Sequence, residues 1–224
     1  MARDATSDDL DFVIGYNLRM SRRLKSPLLW FFVCVAATAA LTAIGPAEKT
    51  LGPSVRIVYL HGAWVLAAEI TLALAGLVGL AALLLRRKKI HRWSAALGRT
   101  GIFFWVTYLP LSLRAMQANW NGLFLSEPRF RLAVIFAVTG LLLQVGLAIL
   151  GKPFLTSLLN ALYYAALEIS LRSTGYVMHP PPSPIFNSGR IWLEVYFIGV
   201  ILLALAAAWF LTRWWLKKSK PIDS

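Results

Sequence analysis

The sequence predicts an all-α fold: an integral membrane bundle of six transmembrane helices with both termini cytoplasmic. Three observations predict it. The 224 residues are 58% hydrophobic and 15% charged, where a soluble domain runs at about 45–50% and about 25%. The apolar residues fall in repeated runs near the ~20 residues that carry a helix across ~30 Å of hydrocarbon. The basic residues crowd the ends of those runs, as topology-setting residues do.

Residues 1–26 are polar, with early aspartates followed by Arg19, Arg22, Arg23 and Lys25, and read as a cytoplasmic leader. Apolar runs then span about 27–45, 59–85, 94–113, 131–150, 154–172 and 190–213, giving a transmembrane domain over 27–213 and a basic tail over 214–224. The first run ends in A-T-A-A-L-T-A-I-G, which resembles a small-residue cleavage site. Its polar leader is long for a signal peptide and the run reaches spanning length, so it reads as a helix that stays. The fifth run is the weakest, because Asn160, Glu168 and Arg172 interrupt it.

Orientation follows from lysine and arginine. Of 23 such residues, 16 fall on one side: before the first run, in the second connection from Arg86 to Arg99, at Lys152, and from Arg213 onward. The other side holds Lys49, Arg56, Arg114, Arg129, Arg131, Arg172 and Arg190. The richer side is cytoplasmic. The connections at about 46–58, 114–130 and 173–189 therefore face outward, in a cell's inner (plasma) membrane. The net charge of +13 belongs with anionic lipid rather than nucleic acid, because it flanks spanning segments.

Cys34 is the only cysteine, so there is no disulfide framework and no thiolate metal site. Without C-x-x-C-H the chain is not itself a c-type cytochrome. It also lacks a phosphate loop, a G-x-S-x-G elbow and H-E-x-x-H, and reads as a protein without catalytic turnover of its own.

Chemistry is left to the histidines. His61 lies at the outer mouth of the second run and His179 in the last outer loop, while His91 sits in the cytoplasmic basic cluster and reads as solvated or lipid-facing. Two neutral imidazoles on one side of a bundle suit axial ligation of a b-type haem. Trp64, Trp120, Phe124, Tyr176, Phe186 and Trp192 offer apolar lining there, and Arg56, Arg114, Arg129 and Arg190 offer propionate partners. The bland alternative stands beside this: a helix-end histidine is commonly an interfacial polar residue, and tryptophans belong in an aromatic belt. Zinc would need Glu48, Glu127 or Glu194 to complete its ligand set. Glu69 lies eight residues after His61, ~12 Å along a helix, and Glu168 precedes Arg172 by four, which suits an ion pair. Prolines 180–182 and 184 make the segment after His179 extended.

R-I-V-Y-L-H-G-A-W at 56–64 resembles the outer segment R-I-x-Y-x-H-x-P-x-A-W of the cytochrome c maturation protein C family, haem-handling membrane proteins of cytochrome c assembly. Arg56, Ile57, Tyr59 and His61 match; Ala63-Trp64 arrive two residues early and the proline is absent. H-P-P-P-S-P-I at 179–185 is similar to the family's second histidine segment. Trp120 to Arg131, W-N-G-L-F-L-S-E-P-R-F-R, stands where the family has W-G-x-W-W-x-W-D-x-R-L-T. Trp120 and Arg129 are kept, Glu127 replaces the aspartate, and Leu123, Phe124 and Ser126 replace tryptophans. The resemblance implies six spanning helices and haem b held at the outer face between His61 and His179. It further implies Trp64, Trp120, Phe124, Arg56 and Arg129 around the haem, and ABC transporter subunits and an extracytoplasmic haem chaperone as partners. A b-type electron-transfer subunit and a haem-free scaffold that kept the fold remain the competing readings.

Overall fold

The computed structural model describes residues 26–49, 51–175, 177–178, 185–186 and 188–219. His179, Tyr176, the proline run 180–184 and nearly all of the polar leader lie outside these residues. Six helices follow one another: α1 Pro27–Ala43, α2 Val55–Leu85, α3 Lys88–Trp120, α4 Pro128–Leu150, α5 Pro153–Ser173 and α6 Ile191–Lys218. No strand forms among the described residues.

Local chemistry sets the boundaries. Proline opens α1, α4 and α5 in the first turn, where its missing N–H would have had no intrahelical partner and its fixed φ already suits a helix. Gly151 closes α4 with φ of 61° and donates its N–H to Leu147 O at 3.0 Å, a left-handed cap that glycine adopts without a Cβ clash. Arg86 ends α2 in the same region at φ 51°, and only Arg86 and Arg87 separate α2 from α3.

Four helices, α2, α4, α5 and α6, are long and apolar enough to cross a membrane, the pattern of a multi-pass membrane protein. At 17 residues α1 is apolar but short. By contrast α3 is 33 residues long yet carries Lys88, Lys89, Arg92, Arg99 and Arg114. Its position explains the difference: α3 packs against α2, α4, α5 and α6, so much of its surface meets protein rather than lipid. Phe104 and Trp105 on it are fully buried.

The seam between α2 and α3 is the axis of the bundle. Small residues of α2, namely Ala63, Ala67, Ala68, Ala75 and Ala82, are buried along its length, and small side chains are what let membrane helices approach closely. At Gly79 a Cβ would lie 2.6 Å from Ser157 O of α5, and at Gly98 it would lie 2.7 Å from the Asn160 amide. Those contacts bring α5 against both central helices.

Polar links lock this crossing. Ser94 Oγ donates to Ala75 O at 2.9 Å, Asn160 Nδ2 donates to Ser94 O at 2.9 Å, and Gln144 Nε2 donates to Asn160 Oδ1 at 2.9 Å. Four helices are joined. Asn160, which weakens the fifth run as a hydropathy signal, is thus a buried structural group inside α5.

The helices outrun the apolar stretches that predict them, because charged residues continue a helix wherever a neighbour covers its other face. The 114–130 connection shrinks to residues 121–127, since α3 continues to Trp120. Likewise α6 continues to Lys218, so the basic tail begins as helix. His91 is a correction. It is buried, and its Nδ1 lies 2.7 Å from Ser157 Oγ, because α3 begins at Lys88 and turns this first-turn residue inward onto α5.

Candidate functional site

Chain connectivity gathers the α1–α2, α3–α4 and α5–α6 connections, with the starts of α2 and α6, at one end of the bundle. In this region α1, α2 and α6 are tied by aromatic hydroxyls. Tyr196 Oη donates to Leu41 O at 2.8 Å and Tyr59 Oη donates to Pro46 O at 3.2 Å, with the two rings 5.3 Å apart, edge to face. Tyr59 is fully buried. Arg56, one turn earlier on α2, donates Nε to Gly45 O at 2.9 Å. The R-I-V-Y half of the opening motif therefore anchors the α1–α2 connection to the bundle.

His61 follows, half-buried, with its ring 5.6 Å from that of Tyr108 on α3. Tyr108 packs edge-on to Trp105 at 5.0 Å, and the Trp105 indole donates to Ala133 O of α4 at 3.1 Å. A relay of three rings thus connects His61 to the α3–α4 contact. Trp64, one turn below His61, faces the interior instead. Its ring stacks on Phe104 at 4.5 Å and its Nε1 donates to Thr107 Oγ1 at 2.9 Å.

An open cleft of about 720 Å³ lies among α2, α4 and α5. Glu69, Arg129, Glu168 and Arg172 all line it. Arg129 also donates to Leu171 O at 3.3 Å. Glu168 accepts from Arg172 Nε at 2.6 Å, forming the pair that the i,i+4 spacing predicts. Two acids and two bases make the lining of the cleft polar.

Glu127 is the residue that sequence reasoning undervalued. It lies in the short α3–α4 connection, only 3% exposed. Its carboxylate accepts from two consecutive backbone amides, Val177 N at 3.1 Å and Met178 N at 2.9 Å. Hydrogen bonds to a charged acceptor are about twice as strong as neutral ones, so this clamp holds the α5–α6 connection onto the α3–α4 connection. The available signal was a lone acid beside a helix-opening proline in an otherwise basic stretch.

The residues named from sequence fall in several places. His61 lies beside Tyr108, Trp64 between α2 and α3, Arg56 on the α1–α2 connection, and Arg129 in the cleft. Trp120 and Phe124 pair edge to face at 5.8 Å, at the far tip of α3. Twelve residues separate Tyr108 from Trp120, about 18 Å along a helix. His179 lies outside the described residues, one position beyond the clamped Met178. No group of three or more histidine, cysteine or acidic side chains gathers for a metal among the described residues. Comparison with protein-family models, characterised proteins and solved structures returns no match.

Proposed function

We propose that this chain is a haem-handling membrane protein of cytochrome c assembly. It crosses the inner membrane six times with both termini in the cytoplasm, and it holds haem b as cargo at the outer face for delivery to a partner. The carrying observation is the Glu127 clamp. By seizing the amides of Val177 and Met178, it tethers the connection that continues into His179 at the end of the bundle where His61 lies. Two histidines on tethered, same-side segments are the donor set a six-coordinate haem iron takes. Neither group needs to be reactive; the protein binds and presents, and catalyses nothing. ABC transporter subunits and an extracytoplasmic haem chaperone are the partners this reading implies.

His61 suits an axial ligand: it is half-buried against Tyr108 and rooted in a helix whose preceding turn is pinned by Arg56 and Tyr59. A ring so held loses little further freedom on ligation. Trp64 does not suit the haem platform, because its indole is stacked and hydrogen-bonded inside the α2–α3 seam. That same observation, with the remoteness of Trp120 and Phe124 from Tyr108, favours a second reading in which the fold persists as a haem-free scaffold.

The absorbance spectrum of the purified protein decides between them. Under the haem reading the wild type gives a low-spin b-type spectrum. Alanine at His61 or at His179 gives high-spin or weakly held haem, and alanine at both abolishes binding. His91→Ala keeps the low-spin spectrum, since its ring is engaged by Ser157 near the other end. A wild type that takes up no haem on reconstitution sinks the first reading and leaves the second.

A further inference from the structure

We propose that the pocket at the opposite end of the bundle, where α3, α4, α5 and α6 meet, binds the phosphate of an anionic lipid headgroup. The inference is independent of the haem reading. The pocket has a volume of about 130 Å³, well above the ~10–15 Å³ that a single water requires. Arg92 and Arg99, one and three turns into α3, line it together with Trp215 of α6 and Thr156 in the first turn of α5.

Its donors are unusual in being left over. Arg92 spends its Nη2 on the end of α6, donating to Leu216 O at 3.2 Å and Ser219 O at 3.1 Å. Its Nε is buried with no hydrogen-bond partner among the described residues, and the same is true of Trp215 Nε1. A buried N–H without an acceptor is costly, and both residues line the pocket, so an acceptor entering there would relieve that cost. Arg99 lies 5.5 Å above the Trp215 ring, a cation–π contact that sets its position without neutralising it.

Among the described residues no carboxylate lies beside these arginines. Among the described residues the acids are Glu48, Glu69, Glu127, Glu168 and Glu194, all in the half of the bundle that carries His61. The one salt bridge among the described residues is Arg172–Glu168, at that same end. An arginine on an apolar bundle pairs with backbone carbonyls or with an opposite charge, and among the described residues carbonyls engage only the Nη2 of Arg92. The first turn of α5 adds the partial positive charge of a helix N-terminus.

The lining also says what bears the anion. The α4–α5 corner beside the pocket exposes Ile149, Leu150 and Phe154 at 81%, 55% and 61%. A phosphate seated on the arginines would place its acyl chains along this apolar rim. Basic pockets between helices at the cytoplasmic face are where anionic headgroups are held.

Native mass spectrometry of the full chain tests the assignment. The protein is released from micelles doped with phosphatidylglycerol, or with phosphatidylcholine of the same acyl chains. The wild type is expected to retain one phosphatidylglycerol in preference to phosphatidylcholine. Arg99→Gln should weaken that retention about tenfold, the size of one charge-assisted bond. Trp215→Phe, which keeps the ring but removes the N–H, should weaken it about threefold. Arg213→Gln, whose guanidinium lies over Trp209 outside the pocket, should bind as wild type and controls for general charge. Equal retention of the two lipids, or full retention by a folded Arg99→Gln, overturns the proposal. Displacement of the lipid by millimolar inorganic phosphate overturns the lipid assignment in favour of free phosphate. Should Arg99→Gln fail to fold, Trp215→Phe decides alone, and unchanged retention by it overturns the site.

Discussion

The two ends of the bundle handle buried polar groups in opposite ways. At the end that carries His61, arginines meet backbone carbonyls and acids: Arg56 donates to Gly45 O, Arg129 to Leu171 O, and Arg172 to Glu168. Glu127 in turn accepts from Val177 and Met178. At the other end Arg92 and Arg99 are held by helix ends and an aromatic ring, with no acid beside them among the described residues. Charge satisfied within the protein can build a fixed site for a neutral or bulky cargo. Charge left to the surroundings can bind an anion from the membrane. Among the described residues the acids all fall at the end that carries His61.

The comparison breaks most completely if the ends are assigned to the wrong sides of the membrane. Cysteine at Ser126, exposed in the α3–α4 connection, and cysteine at Lys218, near the end of α6, should label differently in a Cys34→Ala background. Ser126→Cys is expected to react with a membrane-impermeant maleimide in intact cells, and Lys218→Cys only after lysis. Labelling in the reverse pattern would turn the bundle over and take the haem reading with it.

The next largest effect belongs to the clamp. Glu127→Ala removes the acceptor of two backbone amides and should destabilise the α5–α6 connection by about 3 kcal/mol. Hydrogen exchange at Val177 and Met178 should quicken about a hundredfold, with α2 and α3 still protected. Exchange that does not change would show that other contacts hold this connection, and the tether argument for His179 would fall.

Close helix approach comes third. Gly79→Ala places a Cβ against the Ser157 carbonyl, only 2.6 Å away, and backbone cannot rotate aside as a side chain can. Overpacking of this kind costs roughly 1–3 kcal/mol, read as a lower midpoint in detergent unfolding. Asn160→Leu should cost less, about 1 kcal/mol, because hydrogen bonds between membrane helices are individually modest. The smallest effect is expected at Arg172→Gln. Its side chain is 79% exposed, and an exposed i,i+4 pair contributes about 0.3–0.5 kcal/mol. A loss above about 1 kcal/mol would mean that the cleft is shielded from water, sharpening the case for Glu69 and Glu168 as functional acids.

Six helices were legible in the chain because burial in lipid demands long apolar runs, and runs need no knowledge of neighbours. Their presence, their order and the prolines that open three of them could all be read from the residues. So could the Glu168–Arg172 pair, which depends only on helical spacing. Which face of a helix meets another helix could not be read, because every face of a lipid-bathed segment is apolar and periodicity is lost. Trp64 therefore reads as a site residue but packs into the α2–α3 seam, and His91 reads as solvated but lies buried on Ser157. Only the tertiary structure could decide those two, together with Glu127, whose partners lie about fifty residues away. Sequence alone determined what the membrane requires of each segment taken singly. The fold decided what the segments require of one another, since hydrogen bonds and close contacts depend on distances that composition does not contain.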